Sequence, residues 1–135
     1  TADEFRQAML AATSFGMPDP AGGSTSSQHL VKVLAQLGIA DAMRPKTRHF
    51  KDGTQALHAL AKGEISLTVA PMTSIRVVPG VALAGPLPDA LQSTTVYAAA
   101  LSRKSAASEP AKALLAMLTS PAFAAVLRDK GIDPP

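Results

Sequence analysis

Apolar residues recur at helical spacing in several segments of the chain. The clearest stripe is Leu30, Val33, Leu34 and Leu37, at i, i+3, i+4 and i+7, and Gly38 follows it as a stop. Similar stripes predict further helices over residues 3–12, from the N-cap Asp52 to Gly63, after Ser108, and from Ser120-Pro121 to Gly131, with a short helical turn at residues 41–43.

Short runs with apolar and β-branched residues lie between these helices. They predict strands at residues 14–17, 47–50, 65–70, 81–84 and 94–101. Strands that alternate with helices are typical of an α/β layer fold with a largely parallel sheet, and we expect that class here.

The loop between the first strand and the clearest helix has an unusual composition. It contains Gly22 and Gly23 and then four hydroxyl residues, Ser24, Thr25, Ser26 and Ser27. The unpaired N–H groups and the dipole of a helix N-terminus attract anions, so this loop is a candidate anion site. A flexible Gly/Ser connector that merely caps the helix explains the same residues.

Composition and charge narrow the function classes. The 135 residues are 47% hydrophobic and 17% charged, with a net charge of +3, as expected for one globular domain or part of one. Basic residues cluster at Arg44, Lys46, Arg48 and Lys51, with His49 among them. The charge and the scarcity of aromatics argue against a nucleic-acid partner. The cluster is either a solvated loop or a weak anion-steering or docking surface.

The sequence lacks the residues that several kinds of catalytic and metal site require. The sequence has no cysteine, which excludes catalytic thiols, disulfides and thiolate metal sites from these residues. His29, His49 and His58 have no metal-ligand spacing, and no Gly-x-Ser-x-Gly elbow, phosphate loop or carboxylate pair is present. We therefore expect a protein without metal, cofactor or enzymatic activity. No apolar run is long enough to span a membrane, and no signal peptide is visible.

Several motifs occur in a family-like order along the whole chain. They are Asp19-Pro20 through Leu37-Gly38-Ile39, Ala61-Lys62-Gly63-Glu64 through Val69, Pro79-Gly80-Val81, Gly85-Pro86-Leu87-Pro88, Val96-Tyr97-Ala98-Ala99-Ala100, and Leu118-Thr119-Ser120-Pro121-Ala122-Phe123 through Gly131-Ile132. In this order the chain resembles the later half of the periplasmic solute-binding proteins of ABC importers, in the branch typified by molybdate-binding proteins.

The resemblance implies a type II periplasmic-binding-protein-like fold with two lobes and a ligand cleft. Residues 14–18 and 94–100 would be the crossing strands, and residues 19–93 one complete three-layer αβα lobe. Residues 1–13 would be a remnant of the first lobe, and residues 101–135 would be its C-terminal helices. That lobe would be incomplete here, because most of its sheet lies outside this sequence. The apolar faces of those helices need a packing partner, so self-association is expected if the chain is truncated.

The resemblance also implies ligand-binding residues. Ser26 and Gly53 fall where the family supplies backbone N–H donors, with Ser24, Thr25, Ser27 and Thr54 beside them. A carboxylate at Asp52 would repel an anion if it pointed inward, but as an N-cap it is tied to its own helix. Pro71 stands where molybdate binders have a tyrosine hydroxyl, so molybdate itself is in doubt. Thr73 and Ser74 either replace that hydroxyl or are ordinary loop residues.

The function implied is capture of a small oxyanion for an ABC permease in the periplasm, with the signal peptide and N-terminal portion outside this chain. Tyr97 would line the hinge or cleft, or simply pack there. Two alternatives remain: the ligand-sensing effector domain of a LysR-type regulator, which shares the two-lobed architecture, and an enzyme on the same fold.

Overall fold

The computed structural model describes residues 1–104 and 108–134, which form two compact units, Thr1–Ser93 and Thr94–Pro135. Residues 105–107 and 135, which belong to the predicted C-terminal segment, lie outside the described residues. Within the described ranges, the first unit contains α1 (Ala2–Ala11), β1 (Phe15–Pro18), α2 (Thr25–Gln36), α3 (Ala40–Met43), β2 (Thr47–Phe50), α4 (Gly53–Ala61), β3 (Leu67–Thr68) and α5 (Met72–Ile75). The second contains α6 (Ser108–Leu118) and α7 (Pro121–Asp129).

The first unit is built on a small parallel sheet with strand order β2-β1-β3. Strand β1 is central and buried, and it pairs Phe15 with Thr47 on one side and with Leu67 on the other. A strand buried on both faces is typical of parallel sheets covered by helices. The structure thus confirms the predicted mixed α/β class with a parallel sheet.

Alternation along β1 sends its side chains to two helical layers. Phe15 and Met17 join the main core with residues of α1, α2 and α3, namely Met9, Leu30, Val33, Leu34, Ile39 and Met43. Gly16 and Pro18 face the side on which α4 packs, because a Cβ added at Gly53 would lie 3.8 Å from Pro18 Cγ. Both faces of the sheet are therefore covered by helices.

Helix α1 completes the core of the first unit. Met9 is fully buried, Arg6 Nε donates to Leu37 O at 3.2 Å, and Lys46 Nζ donates to Leu10 O at 2.6 Å. Residues 1–13 were expected in a different lobe from residues 19–93, yet here they share one core. Their assignment to a first lobe concerns the longer protein and stays a prediction.

Several predicted strands are shorter than expected or not formed. The strand predicted at residues 65–70 is limited to β3, and residues 81–84 and 94–101 have no regular secondary structure. A strand needs a hydrogen-bonded neighbour, and β-branched residues alone do not supply one. Val96 and Tyr97 are 85% and 73% exposed, so this segment lacks a partner within its own unit. Its role as a crossing between lobes stays a prediction.

The second unit is a pair of packed helices. Ser120 caps α7 by accepting from Phe123 N at 3.3 Å, and Pro121 occupies the first helical position as predicted. Leu114, Met117 and Val126 are about half exposed. No single helix among the described residues is long and apolar enough to cross a membrane, although α6 and α7 together, bent by 66°, meet that length and composition test.

Candidate functional site

The carboxyl edge of the sheet gathers the beginnings of three helices. Because the strands are parallel, the loops that follow β1, β2 and β3 leave from the same edge, and they lead into α2, α4 and α5. Asp19 N donates to Phe50 O at 2.8 Å and so ties the first of these loops to the end of β2. Ligands of open parallel sheets bind outside this edge, so the predicted site residues are placed where binding is expected.

Helix α2 begins without a side-chain cap. The side chain of its N-cap Ser24 accepts no backbone N–H of the helix, and its Oγ instead lies 2.9 Å from Ser26 Oγ. The first backbone bond of the helix runs from Gln28 N to Ser24 O at 3.0 Å. Within the described part of the chain, no protein oxygen accepts from the N–H groups of Thr25, Ser26 and Ser27. Three unsatisfied donors beside two hydroxyls at a helix N-terminus suit an anion.

Ser27 differs from its neighbours. Its side chain is fully buried, and its hydroxyl donates to Ser24 O at 2.9 Å. Since that hydroxyl is already engaged inside the fold, the expectation that Ser27 offers it to a ligand is not supported by this geometry. The accessible hydroxyls of the loop are those of Ser24, Thr25 and Ser26.

Helix α4 begins with the predicted cap. Asp52 Oδ1 accepts from Gln55 N at 2.8 Å, which confirms the N-cap and explains how a carboxylate is accommodated at this edge. Gly53 and Thr54 follow with N–H groups in the first turn, where the carboxylate already offsets part of the helix dipole. Helix α2, whose N-cap is Ser24 and not a carboxylate, is therefore the more favourable of the two for an anion.

The third helix start is weaker. Helix α5 is a single turn, and its N-cap Pro71 supplies neither a hydroxyl nor an N–H. Pro71 O accepts from Ser74 N at 2.9 Å and from Ile75 N at 3.1 Å. Thr73 is half-buried in this turn at the same edge of the sheet. The topology thus places Thr73 at the same edge of the sheet as the other candidates.

The three histidines lie on separate elements. His29 Nε2 is 2.8 Å from Leu91 O, and His49 and His58 are exposed on β2 and α4. In the ranges 1–104 and 108–134, no three His, Cys, Asp or Glu side chains converge as a metal site would require. Tyr97 belongs to the second unit and is exposed, so its suggested place at a hinge or cleft stays a prediction.

Comparison with known proteins shows the family of the chain. The sequence model for the family described as bacterial extracellular solute-binding protein matches residues 1–133. The chain belongs to the bacterial extracellular solute-binding proteins. This membership agrees with the predicted solute-binding family, whereas ligand capture and a transporter partner stay predictions.

One curated relative of this solute-binding protein carries an enzyme name. It is the aconitate isomerase of a Pseudomonas species, 30% identical over 132 residues, which are 98% of this chain and 49% of the relative. The chain thus spans about half the length of that relative. No solved structure matches the chain.

Sequence reasoning about this solute-binding protein missed the contact between Ser24 and Ser26. Serines at an N-cap and two residues later are visible in the sequence, but an N-cap serine ordinarily bonds to the backbone of its helix. Only the geometry shows that the hydroxyls of Ser24 and Ser26 bond to each other and leave the α2 N–H groups unsatisfied.

Proposed function

We propose that this chain forms the anion-holding part of a periplasmic solute-binding protein that delivers a small oxyanion to an ABC importer. The observation that carries the proposal is the uncapped N-terminus of α2 at the carboxyl edge of the parallel sheet. Ser24 and Ser26 hydroxyls and the N–H groups of residues 25 and 26 would hold the anion without an opposing charge. Gly53, Thr54 and Thr73 would add donors from the two neighbouring helix starts.

Delivery requires a protein that closes on its ligand and opens for the transporter. A ligand that contacts both lobes of the longer protein binds the closed form more tightly and shifts the population toward it. In this proposal, α2 supplies contacts from one side of the cleft. The match to the solute-binding family favours transport over a LysR-type effector domain.

The ligand has two candidate classes. Molybdate-like oxyanions fit the helix N-termini, but Pro71 offers no donor where molybdate binders have a tyrosine. The name of the Pseudomonas relative favours a polycarboxylate such as aconitate instead. A carboxylate group is a planar oxyanion, and unpaired N–H groups and hydroxyls bind it by the same chemistry as a tetrahedral oxyanion.

The same name supports a second function, an isomerase acting on a polycarboxylate. Conversion of such a substrate between its cis and trans isomers requires a group that removes a proton and returns it. The carboxylates at the binding edge are Asp19 and Asp52, which bond to Ala21 N at 2.9 Å and to Gln55 N at 2.8 Å. Both act as local caps in this structure, so pure binding is the preferred function.

A thermal-shift screen of the full-length protein tests the proposal. Molybdate, sulfate, phosphate, cis-aconitate and citrate are compared at matched ionic strength. A ligand that binds only the folded state raises Tm, and the stabilisation grows with the logarithm of the ligand's excess over Kd. Stabilisation by one class identifies the ligand, and stabilisation by none contradicts anion binding. Turnover of cis-aconitate, followed by its ultraviolet absorbance, would favour the isomerase over the transport protein.

A further inference from the structure

A second polar surface lies on the flank of the first unit, along β2 and α4. It is a groove of about 290 Å³ lined by Arg48, Phe50, Gln55, His58, Lys62 and Glu64, here called the flank groove. Arg48 and Phe50 alternate along β2 and so share one face of the strand. Gln55, His58 and Lys62, at i, i+3 and i+7, follow one side of α4. The flank groove is thus built by secondary structure and not by a loop.

The guanidinium of Arg48 has a defined position in the flank groove. The Arg48 guanidinium carbon lies 4.9 Å from the centroid of the Phe50 ring, and Arg48 Nη1 is 3.2 Å from Glu64 Oε2. Arg48 and Glu64 side chains remain 57% and 42% exposed. Such an exposed pair contributes little to stability. It does orient the planar guanidinium, whose remaining N–H groups can still donate to a ligand.

The flank groove carries more positive than negative charge. Arg48 and Lys62 are permanent cations, whereas Glu64 is the carboxylate among its lining residues. His58 and Gln55 add polar side chains between them. The expected ligand is therefore anionic, with apolar atoms that can contact the Phe50 ring.

We propose that the flank groove docks a short acidic segment of a protein partner. The groove is open to solvent beside α4, and the seven steps from Gln55 to the C-cap Lys62 span about 10 Å at helical rise. An extended chain covers that length with about three residues. Alternate carboxylates on such a segment would reach Arg48 and Lys62, while its backbone lies over Phe50. This docking surface uses other side chains than the anion site and does not depend on the identity of that site's ligand.

The test measures binding of fluorescein-labelled hexaglutamate to the full-length protein by fluorescence anisotropy at low salt. Lys62→Gln removes a groove cation, and Lys32→Gln removes an exposed cation of α2 as the matched control. We expect Lys62→Gln to weaken binding about two- to fivefold, as for loss of one exposed ion pair, and Lys32→Gln to leave it unchanged. Arg48→Lys keeps the charge but loses the planar fork, and should also weaken binding.

Three outcomes would overturn the proposal. One is no binding of hexaglutamate, and another is equal weakening by Lys62→Gln and Lys32→Gln, which would indicate diffuse attraction to a basic protein. The third is Lys62-dependent binding to phosphatidylglycerol vesicles without binding to the peptide, which would assign the flank groove to a membrane surface. Equal Tm values for wild type and variants establish that folding is unchanged.

Discussion

Ser24 Oγ lies 2.9 Å from Ser26 Oγ, and the two hydroxyls bond to each other while neither caps the helix that they begin. Asp52 at α4 and Ser120 at α7 do cap their helices in the ordinary way. The contrast leaves α2 with its first N–H groups unsatisfied at the edge where ligands of parallel sheets bind. An anion would complete a helix start that the protein itself leaves incomplete.

Ser24→Asp should weaken ligand binding and stabilise the fold. Aspartate is a strong N-cap and places a negative charge at the positive end of the helix, so we expect the free energy of unfolding to rise by about 0.5–1 kcal/mol. The same carboxylate would occupy the N–H groups and repel an anion, and affinity should fall at least tenfold. Urea unfolding and calorimetric titration with the anion found in the screen measure the two effects. Unchanged affinity would show that α2 does not contact the ligand.

Thr25→Pro tests the backbone donor directly. Proline is favoured at the first position of a helix, and the preceding Ser24, at φ −61° and ψ 125°, already has the extended conformation that proline requires. The substitution removes one N–H group, and loss of a hydrogen bond to a charged ligand should reduce affinity about tenfold or more. Thr25→Val, which keeps the N–H but loses the hydroxyl, is the control. If both variants bind the anion as tightly as the wild type does, the hydroxyl and the N–H of Thr25 are both dispensable.

Gly53→Pro tests in the same way whether the first N–H of α4 binds the anion. Asp52 is extended, at φ −150° and ψ 170°, and a Cβ at residue 53 would meet only Pro18 Cγ, at 3.8 Å. The variant should fold normally because this N–H lies outside the helical bonds. Because Asp52 already lowers the positive potential there, we expect a smaller loss of affinity than for Thr25→Pro. A larger loss would make α4 the main anion contact and contradict the preference for α2.

Gly16 is needed for close packing between the sheet and α4. An added Cβ would lie 2.3 Å from Ile65 Cδ1 and 3.0 Å from Phe50 Cε2, both of which lie on the α4 side of β1. Gly16→Ala should therefore destabilise the protein by about 1–3 kcal/mol, as overpacked cores do. Gly22→Ala, with no atom within 4 Å of the added Cβ, is the matched control and should change the free energy of unfolding by less than about 0.5 kcal/mol. Ile65→Val should partly relieve the Gly16→Ala defect in urea unfolding, and failure to do so would place the strain elsewhere.

The sequence predicted the helices better than the strands, for a physical reason. A helix satisfies its backbone locally, so the Leu30 stripe and the Asp52 cap were sufficient to place α2 and α4. A strand depends on a neighbour that sequence alone does not name. Residues 94–101 have the composition of a strand, but Val96 is 85% exposed and unpaired within its unit. The sequence predicted which residues form the candidate site. It could not predict that the N–H groups of α2 lack a cap, because this depends on the directions of the Ser24 and Ser26 hydroxyls.

His29 anchors the segment that brings Leu91 into the core. Its Nε2 is 2.8 Å from Leu91 O, and Leu91 itself is 2% exposed in the main core cluster. His29→Leu removes the hydrogen bond and puts an apolar side chain in its place, so the free energy of unfolding should fall by about 1 kcal/mol. Amide hydrogen exchange should accelerate in residues 89–92 while the centre of the sheet stays protected. His49→Leu, at an exposed histidine of β2, is the control and should leave that segment unchanged. Equal acceleration in both variants would mean that this hydrogen bond does not hold the segment in place.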